Sequence, residues 1–170
     1  MDIQARIEEL QAEESQCNRE ISALKTAMYQ VQNLLTTTTN KITELTNKQT
    51  EYTNLKTSLE ALKAELNSLE SSINDVITDL NNLGEGNRIG EIITKLGGRA
   101  TTVSKKIGEI NSINASIDAK LASIKTDLEG LKQKKATFEK DIERNQQNIA
   151  DKQGLINSIR EEVNSLMASY

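Results

Sequence analysis

The sequence predicts an all-α protein, a long antiparallel two-helix coiled-coil hairpin that could pair further into a four-helix bundle. Three observations carry that expectation. First, one heptad stripe runs Ile3, Leu10, Cys17, Leu24, Val31, Thr38, Leu45, Tyr52, Leu59, Leu66, Ile73 and Leu80, and a second runs from Val103 through Ile110, Ile117, Ile124, Leu131 and Phe138 to Ile159 and Leu166. Apolar residues seven apart, each with a companion three or four away, describe helices with narrow seams that seek each other. Second, a glycine cluster lies between the two stripes near the middle of the chain. Third, the 170 residues include no proline, histidine or tryptophan, and aromatic content is 2%, so the bulky residues that fill a globular core are missing.

The first helix is expected over residues 1–83. Its companion stripe changes side, from Ile7, Ile21, Met28, Leu35 and Ile42 to Leu55, Leu62, Leu69, Val76 and Leu83, with Gln49 at the crossover. A phase shift of that kind changes the local supercoil, and it predicts a bend or a second helical partner near residues 45–56. The run Thr36 to Thr39 has weak helix propensity and is expected to be the softest part of this helix.

The turn region is expected over residues 84–99. Gly84 and Gly86 form one break, and Gly97 with Gly98 a second. In an antiparallel hairpin the numbers of facing residues have a constant sum. Matching polar seam residues, Glu14 with Lys152 and Gln49 with Asn114, places the reversal near residues 82–84 and leaves Gly97-Gly98 as a kink in the second arm. The second helix, over 100–170, keeps one register through Ile107, Asn114, Leu121, Leu128, Lys135, Ile142, Ile149, Ile156, Val163 and Tyr170. The expectation is a single elongated domain with arms of about 120 Å at ~1.5 Å per residue.

Charge narrows the function. The net charge of −4 comes from 21 basic and 25 acidic residues spread along both halves, which is not the footprint of a nucleic-acid binder. The basic group Lys132, Lys134 and Lys135 is flanked by Glu129 and Glu139 and reads as a solvated helix face. No stretch approaches the ~20 apolar residues of a membrane span, and the first residues enter the heptad directly without an apolar signal core. The expected location is the cytoplasm, with export by a route that needs no cleaved signal as the other option.

Catalytic chemistry is not expected. Without histidine, and with a single cysteine, neither a zinc centre nor a histidine-based triad can be assembled. Carboxylates on a two-helix hairpin line no pocket that would exclude water. Neither cofactor, metal nor small-molecule substrate is therefore expected. Cys17 sits on the seam, where a thiol packs as a small hydrophobe; an intermolecular disulfide is the alternative in an oxidising compartment. Asn114, Lys135, Asn145 and Lys152 interrupt the second seam, where buried polar groups set register and partner choice. Leu34, Ile77, Ile93, Ile113 and Leu155 are extra apolar residues flanking the seam and widening it. The candidate partner-binding residues are Leu34, Leu35, Ile77, Ile93, Ile113, Asn114, Lys135 and Asn145.

Two heptad helices around a glycine-bearing turn, an acidic balance, an Asn/Ser/Thr-rich surface and the opening cadence Ile3-Gln4-Ala5-Arg6-Ile7-Glu8-Glu9-Leu10 resemble the small helical-hairpin partner proteins of Gram-positive type VII secretion, particularly those encoded beside LXG toxins. The resemblance implies a protein that binds the helical targeting domain of a client and accompanies it to the export machinery. The chain departs from the wider family in having no tryptophan for a Trp-x-Gly turn; Leu96-Gly97-Gly98 and Ile89-Gly90 are the nearest substitutes. It has no Tyr-x-x-x-acid signal either, since Asn33 follows Tyr29 and Lys56 follows Tyr52 at that spacing.

The leading expectation is thus a non-catalytic, chaperone-like hairpin that binds another helical protein or a second copy of itself. A structural spacer or homodimeric rod is the first alternative. A protein inhibitor acting through its tip or an acidic face is the second.

Overall fold

The structure, a computed structural model, describes residues 3–84 and 86–169. It consists of two helices, α1 (Ile3–Asn82) and α2 (Asn87–Ala168), packed against each other as an antiparallel hairpin. The reversal falls at the first glycine cluster. The amide of Leu83 donates to the carbonyls of Asp79 and Leu80, closing the last turn of α1. Gly84 follows with φ of 101°, the left-handed conformation that ends helices and that a Cβ disfavours. Gly97 and Gly98 lie inside α2 with helical backbone.

The hairpin divides into two units, residues 1–43 with 129–170 and residues 44–128. Letters a to g denote heptad positions, with a and d on the seam. In unit 1 the a and d residues of α1 include Ile7, Leu10, Cys17 and Ile21, all buried, with Leu10 only 1% exposed. Cys17, Ile21, Ile149 and Ile156 form a buried cluster, against which Leu24 and Met28 pack. Cys17 is therefore a core residue with a free thiol. Phe138 and Asn145 are half-buried on the seam of α2, whereas Tyr29 is exposed away from it. Tyr170 lies outside the described residues.

In unit 2 burial is deepest at Leu45, Ile110, Asn114, Ile117, Ile124 and Leu128. Nearer the reversal the seam is only half-buried, at Leu59, Leu66, Ile73 and Leu80 on α1 and at Ile89, Ile93, Leu96 and Val103 on α2.

Two expectations about register need correction. The seam of α1 does not change side at Gln49: half-buried positions continue as Gln49, Tyr52, Lys56, Leu59, Lys63, Leu66, Glu70 and Ile73, with alternating spacings of three and four. Helix α1 is continuous over residues 45–56. The predicted companion residues Leu55, Leu62, Leu69 and Val76 lie one position off the seam and are 45–49% exposed. The physical reason is that α2 keeps one register and α1 follows it. Lysine tolerates a seam position because its stem packs while its ammonium reaches water.

The facing pairs are also offset from those expected. Glu14 pairs with Arg160 at 2.7 Å, and Lys152 pairs with Glu20. Asn114 donates from Nδ2 to Glu60 Oε1 at 2.5 Å, so it faces Glu60 and not Gln49. The packing of the apolar seam sets the register, and the polar groups pair within it, about two turns of helix from the expected partner for Glu14 and Lys152 and about three turns for Asn114.

Candidate functional site: an apolar flank on unit 2

Within each unit the same register recurs. Glu14 meets Arg160 in unit 1, while Lys56 meets Asp118 at 2.5 Å in unit 2; both are a-to-e contacts and their residue numbers have the same sum. On the opposite, g-position flank Arg6 meets Glu162 at 3.0 Å in unit 1. Counted in sevens, the corresponding facing positions in unit 2 are Leu55 with Ile113, Leu62 with Lys106, Leu69 with Arg99, and Val76 with Ile92. Ile92 and Ile113 are each 46% exposed.

One flank of unit 2 is thereby apolar along α1 and capped by an isoleucine on α2 at either end. An open groove lined by Tyr52, Ile113, Ile117 and Lys120 continues the same surface. The other flank of unit 2 is polar: its e positions carry Thr53, Glu60, Asn67 and Asn74 on α1, with Asn111, Asp118 and Lys125 on α2.

The sequence basis of this asymmetry is a face wider than a two-helix seam. Along α1 the apolar residues Leu59, Leu62, Leu66, Leu69, Ile73, Val76 and Leu80 occupy d and g, while the a positions hold Lys56, Lys63 and Glu70 before returning to an apolar residue at Ile77. Helices with a third apolar row beside the seam belong to bundles, where a further neighbour covers that row. Helix α2 covers only the d side of this face.

The candidate residues separate accordingly. Ile113 is exposed on the apolar flank, and Leu34 is 51% exposed at a g position of unit 1. Leu35, Ile77 and Ile93 are half-buried on the seam itself, so the expectation that Ile77 and Ile93 flank it is corrected. Gly84 and Gly86 stand at the reversal beside Asn87 and Ile89. Asn114 is 7% exposed, and its Oδ1 has no hydrogen-bond partner among the described residues. Such a group costs stability and favours the register that gives its amide a partner in Glu60. Lys135 is half-buried and approaches Glu139 at 3.8 Å, and Asn145 is half-buried. Leu55, Leu62, Leu69 and Val76, which make most of the flank, were readable in the sequence as a heptad row, but with charged residues at the neighbouring a positions the sequence pattern places that row on the seam.

Electrostatics are those of a solvated surface. In unit 1 the Glu20 carboxyl is held below its ordinary range by the hydrogen bond from Lys152 and, next, by that from Gln16. Lys152 is raised in turn, chiefly by its hydrogen bond to Glu20. Among the described residues no group of three or more acidic or cysteine side chains is placed to hold a metal ion, and no helix is long and apolar enough to cross a membrane. No protein-family model, curated protein or solved structure matches the chain.

Proposed function

We propose that the chain is a non-catalytic protein-binding hairpin that works by taking further helices onto the apolar flank of unit 2. The observation that carries this reading is the row Leu55, Leu62, Leu69 and Val76, exposed at seven-residue intervals beside a seam whose a positions include the charged Lys56, Lys63 and Glu70. Burying a leucine-sized side chain fully is worth about 1.5–3 kcal/mol, so covering four half-exposed ones gives a helical partner a substantial driving force. Regular spacing selects a helix as the occupant, because only a helix presents apolar residues at the same repeat. The chaperone-like partner role implied by the resemblance to type VII secretion hairpins fits this surface, with a helical targeting domain as the client. A homodimeric spacer is the second reading, favoured by the charge pattern considered below.

The test is site-specific photocrosslinking in the producing cell. A photoreactive residue replacing Leu62 or Leu69 should form adducts with a helical protein, while the same residue replacing Asn67 or Asn74 on the polar flank should not. Equal yields at all four positions, or none at Leu62 and Leu69, would overturn the reading.

A further inference from the structure

The apolar flank of unit 2 carries charge rows that identify its occupant. Along the outer edge of the flank, α1 places Glu51, Glu65 and Asp79 at its c positions, with no basic residue among its g and c positions between 51 and 83. The corresponding g and c positions of α2, between 87 and 117, place Arg88, Lys95, Arg99 and Lys106 on the same flank, all exposed, against one acid, Glu109, which pairs with Lys106 in its own helix. The acidic row lies on the edge of α1 that faces away from α2. Among the described residues the two rows form no ion pair with each other within the hairpin, and neither Glu65 nor Arg99 has an ion-pair partner.

We infer that the flank is covered by a second copy of the chain, related by a twofold axis parallel to the helices, so that the two reversals lie at the same end. This rests on the helix-docking reading above and names its occupant. In that arrangement α1 of each copy lies over α2 of the other, and every neighbouring pair of helices is antiparallel, as in an up-down four-helix bundle. Leu55, Leu62, Leu69 and Val76 of both copies meet along the centre. Glu65 of one copy comes level with the interval between Arg99 and Lys106 of the other, and the lysine and arginine stems cover the leucines while their charged ends reach the acidic edge. The other twofold arrangement, with reversals at opposite ends, sets α1 on α1 and α2 on α2. It brings acidic row against acidic row and basic row against basic row, which is disfavoured.

The test uses the full chain in light scattering with purified Glu65→Lys, Lys106→Glu and doubly substituted variants. The expected result is a dimer of twice the 18.8 kDa chain mass, a dissociation constant raised about tenfold or more by either single substitution, and recovery in the double variant. Spin labels at Asn82→Cys in a Cys17→Ser background should lie within about 30 Å across the dimer. Reversals at opposite ends would separate them by about 50 Å, from a rise of ~1.5 Å per residue between the middle of the row and the turn. A dimer with separations near the larger value, or one whose affinity the double variant fails to restore, would overturn the inference. So would a monomeric wild-type chain. Monomer in light scattering together with photocrosslinks from Leu62 to a different helical protein would leave the helix-docking reading standing, whereas monomer without such crosslinks would remove both.

Discussion

Unit 1 and unit 2 are made of the same two helices in the same register, yet they use their apolar residues differently. In unit 1 the apolar residues of α1 other than Tyr29, Leu34 and alanines fall on a and d, where Leu10, Cys17 and Ile21 are buried, and the flank carries Arg6 and Glu20 in ion pairs with Glu162 and Lys152. In unit 2 three successive a positions of α1 are charged, Lys56, Lys63 and Glu70, and leucines stand on the flank beside them. The seam of unit 1 is satisfied by two helices; the apolar face of unit 2 is wide enough for more. The difference teaches that a heptad repeat reports how many helices a helix faces as well as whether it faces one.

Substitutions should separate the two units in proportion to burial. Leu10→Ala removes the most deeply buried side chain of unit 1 and should cost about 2–5 kcal/mol in chemical denaturation. Asn114→Leu removes the buried Oδ1 that lacks a partner and should raise stability by about 1–3 kcal/mol while relaxing register. A fall in melting temperature there would mean that the polar group is better satisfied than the seam geometry indicates. Gly84→Ala forces a Cβ into the left-handed region and should cost about 1 kcal/mol at the reversal, measurable as a shift in urea midpoint. Leu69→Ala, read at concentrations where the chain is monomeric, should change stability by less than about 0.5 kcal/mol, the sharpest contrast with Leu10→Ala.

The smallest expected effect is a pH dependence of the Glu20–Lys152 pair of unit 1. The folded-state pKa of Glu20 is lowered, so its contribution is complete above the ordinary carboxylate range and is lost as pH falls through the folded value. Lys152 is raised, so its contribution is present below the ordinary lysine range and is lost as pH rises through the folded value. The pair supports unit 1 at neutral pH. Both groups are largely solvated, which keeps the effect small. Glu20→Gln should flatten the acid side of a melting-temperature profile without changing the response of unit 2.

Much of this was legible in the sequence. The seams of both helices in unit 1 and of α2 throughout follow the heptad rows, because Ile, Leu and Val at a and d leave little choice of face. The reversal was legible from Gly84, which the helix end requires in a left-handed conformation. The flank of unit 2 was not. Leu55, Leu62, Leu69 and Val76 are as apolar and as regular as the seam, and a rule that assigns every regular apolar row to the helix partner puts them inside. Only the facing helix, which keeps its own register, shows that Lys56 and Lys63 take the seam and the leucines stand beside it. The facing pairs were also beyond reach, since Glu14 could be neutralised by Lys152 or by Arg160, and only the packed register chooses between them.

Thiol labelling of Leu69→Cys beside the native Cys17, followed over a range of protein concentrations, tests the contrast between the two units most directly. Cys17 should react slowly at every concentration because it is buried in the seam of unit 1. The new thiol should react fast in dilute solution and more slowly as concentration rises and the second copy covers it. A thiol at position 69 as protected as Cys17 at all dilutions would contradict an exposed flank, and one that stays fast at all concentrations would contradict its occupant.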